Sequence, residues 1–280
     1  MRVKLTPAVS YTHIRKYSQY AKNQNWARGY SRVAPLKAER VVNTLLQYKT
    51  KRAKVLDLGC GTGLTFSAIA QTFPSSVALD VGDGEVKATK ELLRLLRISA
   101  VVKKYDGIKI PYPSNTFDIV TSIEVIEHVN KPLRMLEEIH RVLKKDGILH
   151  ITTANKWWPI EPHFKLPFLS YLPAKIADSY VRLLGRGDSY HNIRLPSYKQ
   201  FRQMVQNFFT VEDITLDFLK SYKMSGLDKE RGKVIVVVAD VLQGLNFLKK
   251  FSVTRAIAVG LETCILHVSL GWLFIGRTRK

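Results

Sequence analysis

Two carboxylates and an imidazole crowd into the stretch EVIEHV, residues 124–129. On one helical turn Glu124, Glu127 and His128 share a face, because side chains at i, i+3 and i+4 lie together. Such a set can hold a divalent ion, move a proton, or only open a helix with polar residues. A second group is more specific. VLDLGCGTG, residues 55–63, carries an apolar run straight into Gly59, Gly61 and Gly63. Glycines let the chain turn sharply and let a ligand approach the backbone. The spacing is G-x-G-x-G, whereas dinucleotide-binding turns use G-x-G-x-x-G. Position 64 is leucine, and no lysine–serine or lysine–threonine pair follows to make a phosphate-cradling loop. Asp57, just ahead of the glycines, suits a cationic or amine-bearing ligand better than a pyrophosphate.

Two further acids fall where strands should end. Asp80 ends the strand in SSVALDV (75–81), placed to accept hydrogen bonds from ribose hydroxyls. Asp106, in KYDG, closes a third strand (99–106) and can accept from an adenine amine. Each aspartate alone reads as a loop cap. A cation site, a sugar site and an adenine site in this order describe S-adenosylmethionine.

The hydrophobic pattern supplies the elements that must position these residues. Strands are expected at 54–60, 75–81, 99–106, 117–123 and 148–154, alternating with helices. FDIVTSI (117–123) is a continuous apolar run, as a strand covered on both faces should be. KPLRMLEEIHRVLKKDG (131–147) reads as one helix, with Leu133, Leu136, Ile139 and Leu143 on its buried face and Gly147 as its stop. A helix covers LKAERVVNTLLQY near the start. Ser197 and Gln200 are spaced as a capping box. FFTVEDITLDF (208–218) reads as a strand, 220–266 as mainly helical, with VVV (236–238) ambiguous, and GWLFIGRTRK as a closing strand. The expected fold is α/β, a Rossmann-like and mostly parallel sheet with helices on both faces. Residues 1–50 form a helical cover. Residues 51–280 form one domain with insertions at 155–195 and 220–266, mainly helical and set over the substrate side.

Composition narrows the setting. The formal charge of +21 over 280 residues favours an anionic partner: nucleic acid, an acidic membrane surface or an anionic substrate. Surface lysines that only keep the chain soluble would give the same sum. Cys60 and Cys264 make no CxxC pair and no zinc spacing, as in a reduced cytoplasmic protein. The N-terminus lacks the apolar centre of a signal peptide. The apolar tail is broken by Glu262, His267 and glycines, which argues against a membrane-spanning helix.

In VLDLGCGTG, ALD with Asp80, YDG with Asp106, PYPSNTFDIVTSIEVIEHV and LKKDGILHITT, the chain resembles class I S-adenosylmethionine-dependent methyltransferases. The resemblance covers roughly residues 40–155 and the closing strands. It implies a seven-stranded sheet with an antiparallel last strand. It also implies that Gly59, Cys60, Gly61 and Gly63 line the cofactor, with Cys60 as a small packing residue. Asp57, Asp80, Asp106, Ile123 and Glu124 complete that site. EVIEHV is similar to the E-x-x-E-H of ubiquinone-type O-methyltransferases and of enzymes that methylate the 2′-hydroxyl of small RNAs. There Glu124, Glu127 and His128 would hold a divalent ion. The metal-free reading is preferred, with His128 as base and Glu127 beside it.

The acceptor should meet the loops leaving the carboxyl edge of the sheet. Trp157, Trp158, His163 and His191 are the candidate contacts, with Phe164, Phe168, Tyr171 and the lysines 156, 165 and 175 around them. A hydrophobic or anionic small molecule, such as a lipid, isoprenoid or quinone precursor, fits this lining. The basic, apolar 233–276 region is the candidate for contact with an anionic membrane. RNA is the second expectation, since no RNA-binding module is visible. A non-catalytic cofactor-binding or assembly factor is the third. His140 and His150 lie inside elements and read as structural.

Overall fold

Val55, Leu56 and Leu58 are all buried, as a strand covered on both faces requires. They belong to β1 (Val55–Leu58), the middle of a sheet that also holds β2 (Val77–Asp80), β3 (Val101–Lys104), β4 (Phe117–Ile123), β5 (Leu143–Ala154), β6 (Phe209–Asp213) and β7 (Gly271–Thr278). The computed structural model describes residues 4–18, 24–221 and 233–279. The seven strands run in the order β3-β2-β1-β4-β5-β7-β6. Strands β1 to β5 pair in parallel, and β7 runs antiparallel to both β5 and β6.

Strand alternation divides the core in two. Val55, Ile119 and Ile148 face one way and pack with α1 (Pro7–Tyr17), α2 (Gln24–Tyr48) and α3 (Leu64–Thr72). Leu56, Val120 and Leu149 face the other way, with α5 (Pro132–Val142) and α7 (Tyr198–Gln206). Helix α4 (Asp83–Leu95) joins β2 to β3, and α6 (Ala174–Leu183) lies in the 155–195 insertion. Two helices occupy the start of the chain, and the one over LKAERVVNTLLQY is longer than expected. Thr6 caps α1, and α2 begins well before Leu36 and carries Pro35 inside it. Buried Ala34 and Ala38 hold that segment against the core, so packing overrides the proline.

Two expected boundaries are corrected. Helix α5 ends at Val142, not at Gly147, because Leu143 pairs with Phe117 in the sheet. Its buried face is Met135, Leu136, Ile139 and Val142, while Leu133 is exposed. Gly147 serves close packing: a Cβ there would lie 2.9 Å from both Leu143 Cδ2 and the Lys144 carbonyl oxygen. Strand β6 stops at Asp213, whose carboxylate accepts from Thr215 N at 3.0 Å and starts helix α8 (Thr215–Lys220). The ambiguous VVV lies in α9 (Lys233–Leu248), which is followed by α10 (Ser252–Val268). The part of the expected 220–266 stretch at 222–232 lies outside the described residues. The capping box at Ser197 and Gln200 is present on both sides. Among the described residues no helix is long and apolar enough to cross a membrane.

Candidate active site

The glycine loop leaves β1 with Gly59, Gly61 and Gly63 at φ of 79°, 53° and 82°. L side chains rarely adopt such angles. A Cβ on Gly59 would lie 2.5 Å from Val125 Cγ2, so the loop abuts the segment that carries Glu124, Glu127 and His128. Gly61 faces open space, with nothing within 4 Å of such a Cβ. The loop is fixed by Gly59 N to Leu79 O at 2.8 Å and Gly61 N to Asp80 Oδ2 at 2.8 Å. Its far end is held from outside the sheet, where His13 Nε2 donates to Thr62 O at 2.8 Å. Burial lowers the His13 pKa and keeps that ring neutral. Sequence reasoning missed His13, because nothing in the spacing of YTHIRKY points to a loop about fifty residues away.

Cys60 is buried beside Thr89, and burial pushes its thiol far up, so it packs and does not ionise. Asp57 is buried, and its carboxylate accepts from Thr121 Oγ1. Burial, with Asp80 adding repulsion, pushes Asp57 up to about 7 against the one Thr121 bond that lowers it. A neighbouring cation is what would hold it ionised. Asp80 accepts from Gly61 N and Gly82 N, and its remaining lone pairs are open to hydroxyls. Asp106 lies two residues past the end of β3 and is exposed. One of its oxygens accepts from Lys109 N and Ile108 N, which holds its carboxyl below the usual range.

EVIEHV does not form the single helical turn that its spacing suggests. Ile123 is the last residue of β4, and Glu124 then takes a left-handed φ of 55° while its N–H meets Thr152 O at 3.2 Å. Only Ile126–His128 is helical, as one 3₁₀ turn. Glu124 therefore leaves the shared face, and His163 from the 155–195 insertion enters it. Ligating atoms of Glu127, His128 and His163 all lie within 4.8 Å of one another. The two rings meet edge to face, 5.1 Å apart.

Glu127 is 1% exposed. Its Oε2 accepts from Thr153 Oγ1 at 3.1 Å, while its Oε1 is buried with no hydrogen-bond partner. Burial pushes its carboxyl up to about 7. His163 Nδ1 lies 2.6 Å from Oε1 of Glu161, a fully buried carboxylate. Glu161 Oε2 accepts from the backbone N–H groups of His163 and Phe164. Burial lowers the His163 pKa, but the Glu161 bond and charge outweigh it and raise the net value. With Nδ1–H donated to Glu161, Nε2 is the free nitrogen of the neutral ring. His128 is exposed at the surface of this cluster, and partial enclosure together with His163 lowers its pKa.

The remaining candidates are more scattered. His191 is exposed, 4.0 Å from Asp178, and outside the cluster. Trp157 is exposed against Tyr171, and Trp158 is half-buried. Much of the insertion packs on itself around Leu166, Leu169, Ala177, Val181 and Tyr190. This includes Phe164, so that aromatic serves a small core more than a cover.

Residues 56–151 match the methyltransferase domain family. This match, the sheet order and the glycine loop agree with the class I S-adenosylmethionine-dependent methyltransferase domain that the sequence resembles. Among similar proteins, a ubiquinone biosynthesis O-methyltransferase of Pseudomonas aeruginosa strain LESB58 is 30% identical over 146 residues, 48% of this chain and 54% of that protein. A demethylmenaquinone methyltransferase of Lactobacillus johnsonii is 34% identical over 135 residues, 46% of this chain and 54% of that protein. The chain thus spans about half the length of the curated relatives it matches. The crystal structure of an S-adenosylmethionine dependent methyltransferase from Mesorhizobium loti superposes with a TM-score of 0.53 over 86% of this chain and 99% of that one. At 13% identity it shows the shared fold.

The site fits the cofactor of this family. Gly61 leaves open space where a ligand must approach, and buried Asp57 calls for a cation. The cluster also fits a divalent ion. A buried, unpartnered carboxylate oxygen beside two imidazoles is a mixed oxygen and nitrogen donor set, and Glu161 supplies the outer-shell carboxylate that orients a metal-binding histidine.

Proposed function

We propose that this chain methylates a hydroxyl of a small, apolar or anionic acceptor of the quinone-precursor or lipid type, with His128 taking the hydroxyl proton. The observation that carries this reading is the Glu127–His128–His163 set, held against the glycine loop through the Gly59–Val125 contact. The O-methyltransferase name of the Pseudomonas relative supports the acceptor class. S-adenosylmethionine supplies a methyl group already activated on a sulfonium, so the protein has mainly to align two partners and exclude water.

Each residue then has a part. Asp57 meets the ammonium, Asp80 the ribose, and Asp106 and Ile123 the adenine side, over the surface left by Gly59, Gly61 and Gly63. His128 is neutral at physiological pH, because its pKa is depressed, so its lone pair is available. Glu127 lies beside it with a free oxygen, and Trp157 and Trp158 shield the acceptor. In the alternative with a divalent ion, Glu127, His128 and His163 would hold it and the ion would lower the pKa of the acceptor hydroxyl, and His128, its lone pair then on the ion, would not take the proton. The test is turnover after exhaustive chelation, with cofactor binding measured in parallel. Lost turnover with intact cofactor binding supports the ion. Unchanged turnover, with Glu127→Ala still active, leaves His128 as an unassisted base.

A further inference from the structure

The α9–α10 hairpin carries an apolar surface that the methyl-transfer site does not use. Its inner faces are accounted for: Leu242, Leu245 and Ala258 are buried against Leu216 and Leu219 of α8. Between the helices, buried Glu262 pairs with Lys220 at 3.3 Å and with Lys249. The outer faces are different. Val237, Val241 and Leu248 form an exposed stripe on α9, and Val253, Ile257, Leu261 and Val268 form another on α10. Val253 is 85% exposed, Ile257 63% and Val237 61%. The spacing of both stripes is helical, so each makes one continuous apolar ridge. Scattered exposed apolar residues are ordinary, but an apolar ridge on each of two helices that pack against one another is the kind of surface that marks an interaction site.

The turn between the helices adds charge and aromatic rings. Phe247 and Phe251 are exposed and meet edge to face at 5.3 Å. Lys250 lies over the Phe247 ring at 5.9 Å, and Arg255 is exposed one turn further on. The hairpin's lysines and arginine (233, 249, 250 and 255) outnumber its acids (240 and 262), within a chain of formal charge +21. An apolar face bordered by cations and aromatic rings matches an anionic bilayer surface, where apolar side chains enter the acyl boundary and cations meet the headgroups. Neither helix is long enough to span, so the hairpin would lie in the plane of the interface.

We infer that the outer face of the α9–α10 hairpin docks this protein onto anionic membrane, using Val253, Ile257 and Phe251 as apolar anchors and Lys250 and Arg255 as headgroup contacts. The root of the hairpin adds a geometric reason. Asn155, just past the carboxyl end of β5, donates through Nδ2 to His267 O at 2.8 Å and Ser269 O at 2.7 Å. The hairpin is thus tied to the same sheet edge as the methyl-transfer site, and docking would bring that edge to where apolar acceptors dissolve. The inference does not depend on the acceptor, because vesicle binding is measured without turnover.

The experiment is co-sedimentation of the full chain with phosphatidylglycerol–phosphatidylcholine vesicles and with phosphatidylcholine vesicles alone. The expected result is binding to the anionic vesicles that weakens as salt rises. The K250Q/R255Q double variant should bind about 25-fold more weakly, at roughly fivefold for each cation near the surface. V253N/I257N should lose at least about tenfold through lost apolar burial. Both variants should keep the wild-type melting temperature and cofactor affinity. Equal binding to neutral vesicles, no binding, or binding untouched by either variant would overturn the inference. So would a wild-type oligomer that V253N/I257N converts to monomer, since the face would then belong to a second copy of the chain.

Discussion

Asp57 is the residue whose chemistry is most dependent on its surroundings. Its carboxyl stands at about 7 because it is buried, against an ordinary value of 3.8. A raised carboxyl pKa means that the folded state prefers the protonated form. The associated stability is fully present below pH 3.8 and is lost as pH rises through about 7. The shift corresponds to up to ~4 kcal/mol. Without cofactor, Asp57→Asn should therefore be more stable than wild type at pH 8 and indistinguishable below pH 4, as read by denaturant unfolding across pH. The same variant should bind S-adenosylmethionine at least about tenfold more weakly by calorimetry, since it removes a charge-assisted contact. Gly59→Ala should lose cofactor binding for another reason. It combines a left-handed φ of 79° with a Cβ 2.5 Å from Val125, a strain on the order of 1–3 kcal/mol. The loop and strand-end positions of the glycines and of Asp57 and Asp80 are legible in sequence, because loop geometry is local. The partnership of Glu127 with His163, and of His163 with Glu161, is not. It joins β4 to an insertion more than thirty residues on, and only the fold sets that distance.

At the scale of elements, local signals held where they were self-contained. The capping box at Ser197 closes within four residues, and both of its bonds are present. Ser197→Ala should cost about 1 kcal/mol of stability, read as a lower melting temperature, with methyl transfer unchanged. Local signals failed where a distant partner decided the outcome. LKKDG has a helical composition, yet Leu143 pairs with Phe117 and the strand begins there. EVIEHV has helical spacing, yet the hydrogen bonds from Glu124 N to Thr152 turn the chain left-handed and postpone the helix to Ile126. That displacement removes Glu124 from the donor face and leaves room for His163. The clamp of Glu138 and Arg141 on the backbone of Ile110 and Tyr112 is a further long-range device that periodicity does not reveal. Glu138→Ala should destabilise by about 2 kcal/mol, because a buried N–H of Ile110 loses its acceptor.

For the whole molecule, the sheet order and the antiparallel β7 put β1, β4 and β5 side by side, with their carboxyl ends at one edge. The glycine loop, the Glu127 turn, the insertion bearing His163 and the root of the α9–α10 hairpin all gather there. The class of fold was legible because five strand–helix alternations have few ways to pack. The acceptor was not, since it is met by insertions that follow no period. The proposed reaction is methyl transfer with His128 as the proton acceptor. Its most direct test is transfer of labelled methyl from S-adenosylmethionine to a catechol-type quinone precursor, by wild type and His128→Ala, with cofactor affinity measured on both. The expected result is equal cofactor affinity and a rate about 100-fold lower in the variant, as loss of a general base typically gives. Equal rates in the two proteins, or the absence of transfer by wild type despite cofactor binding, would contradict it.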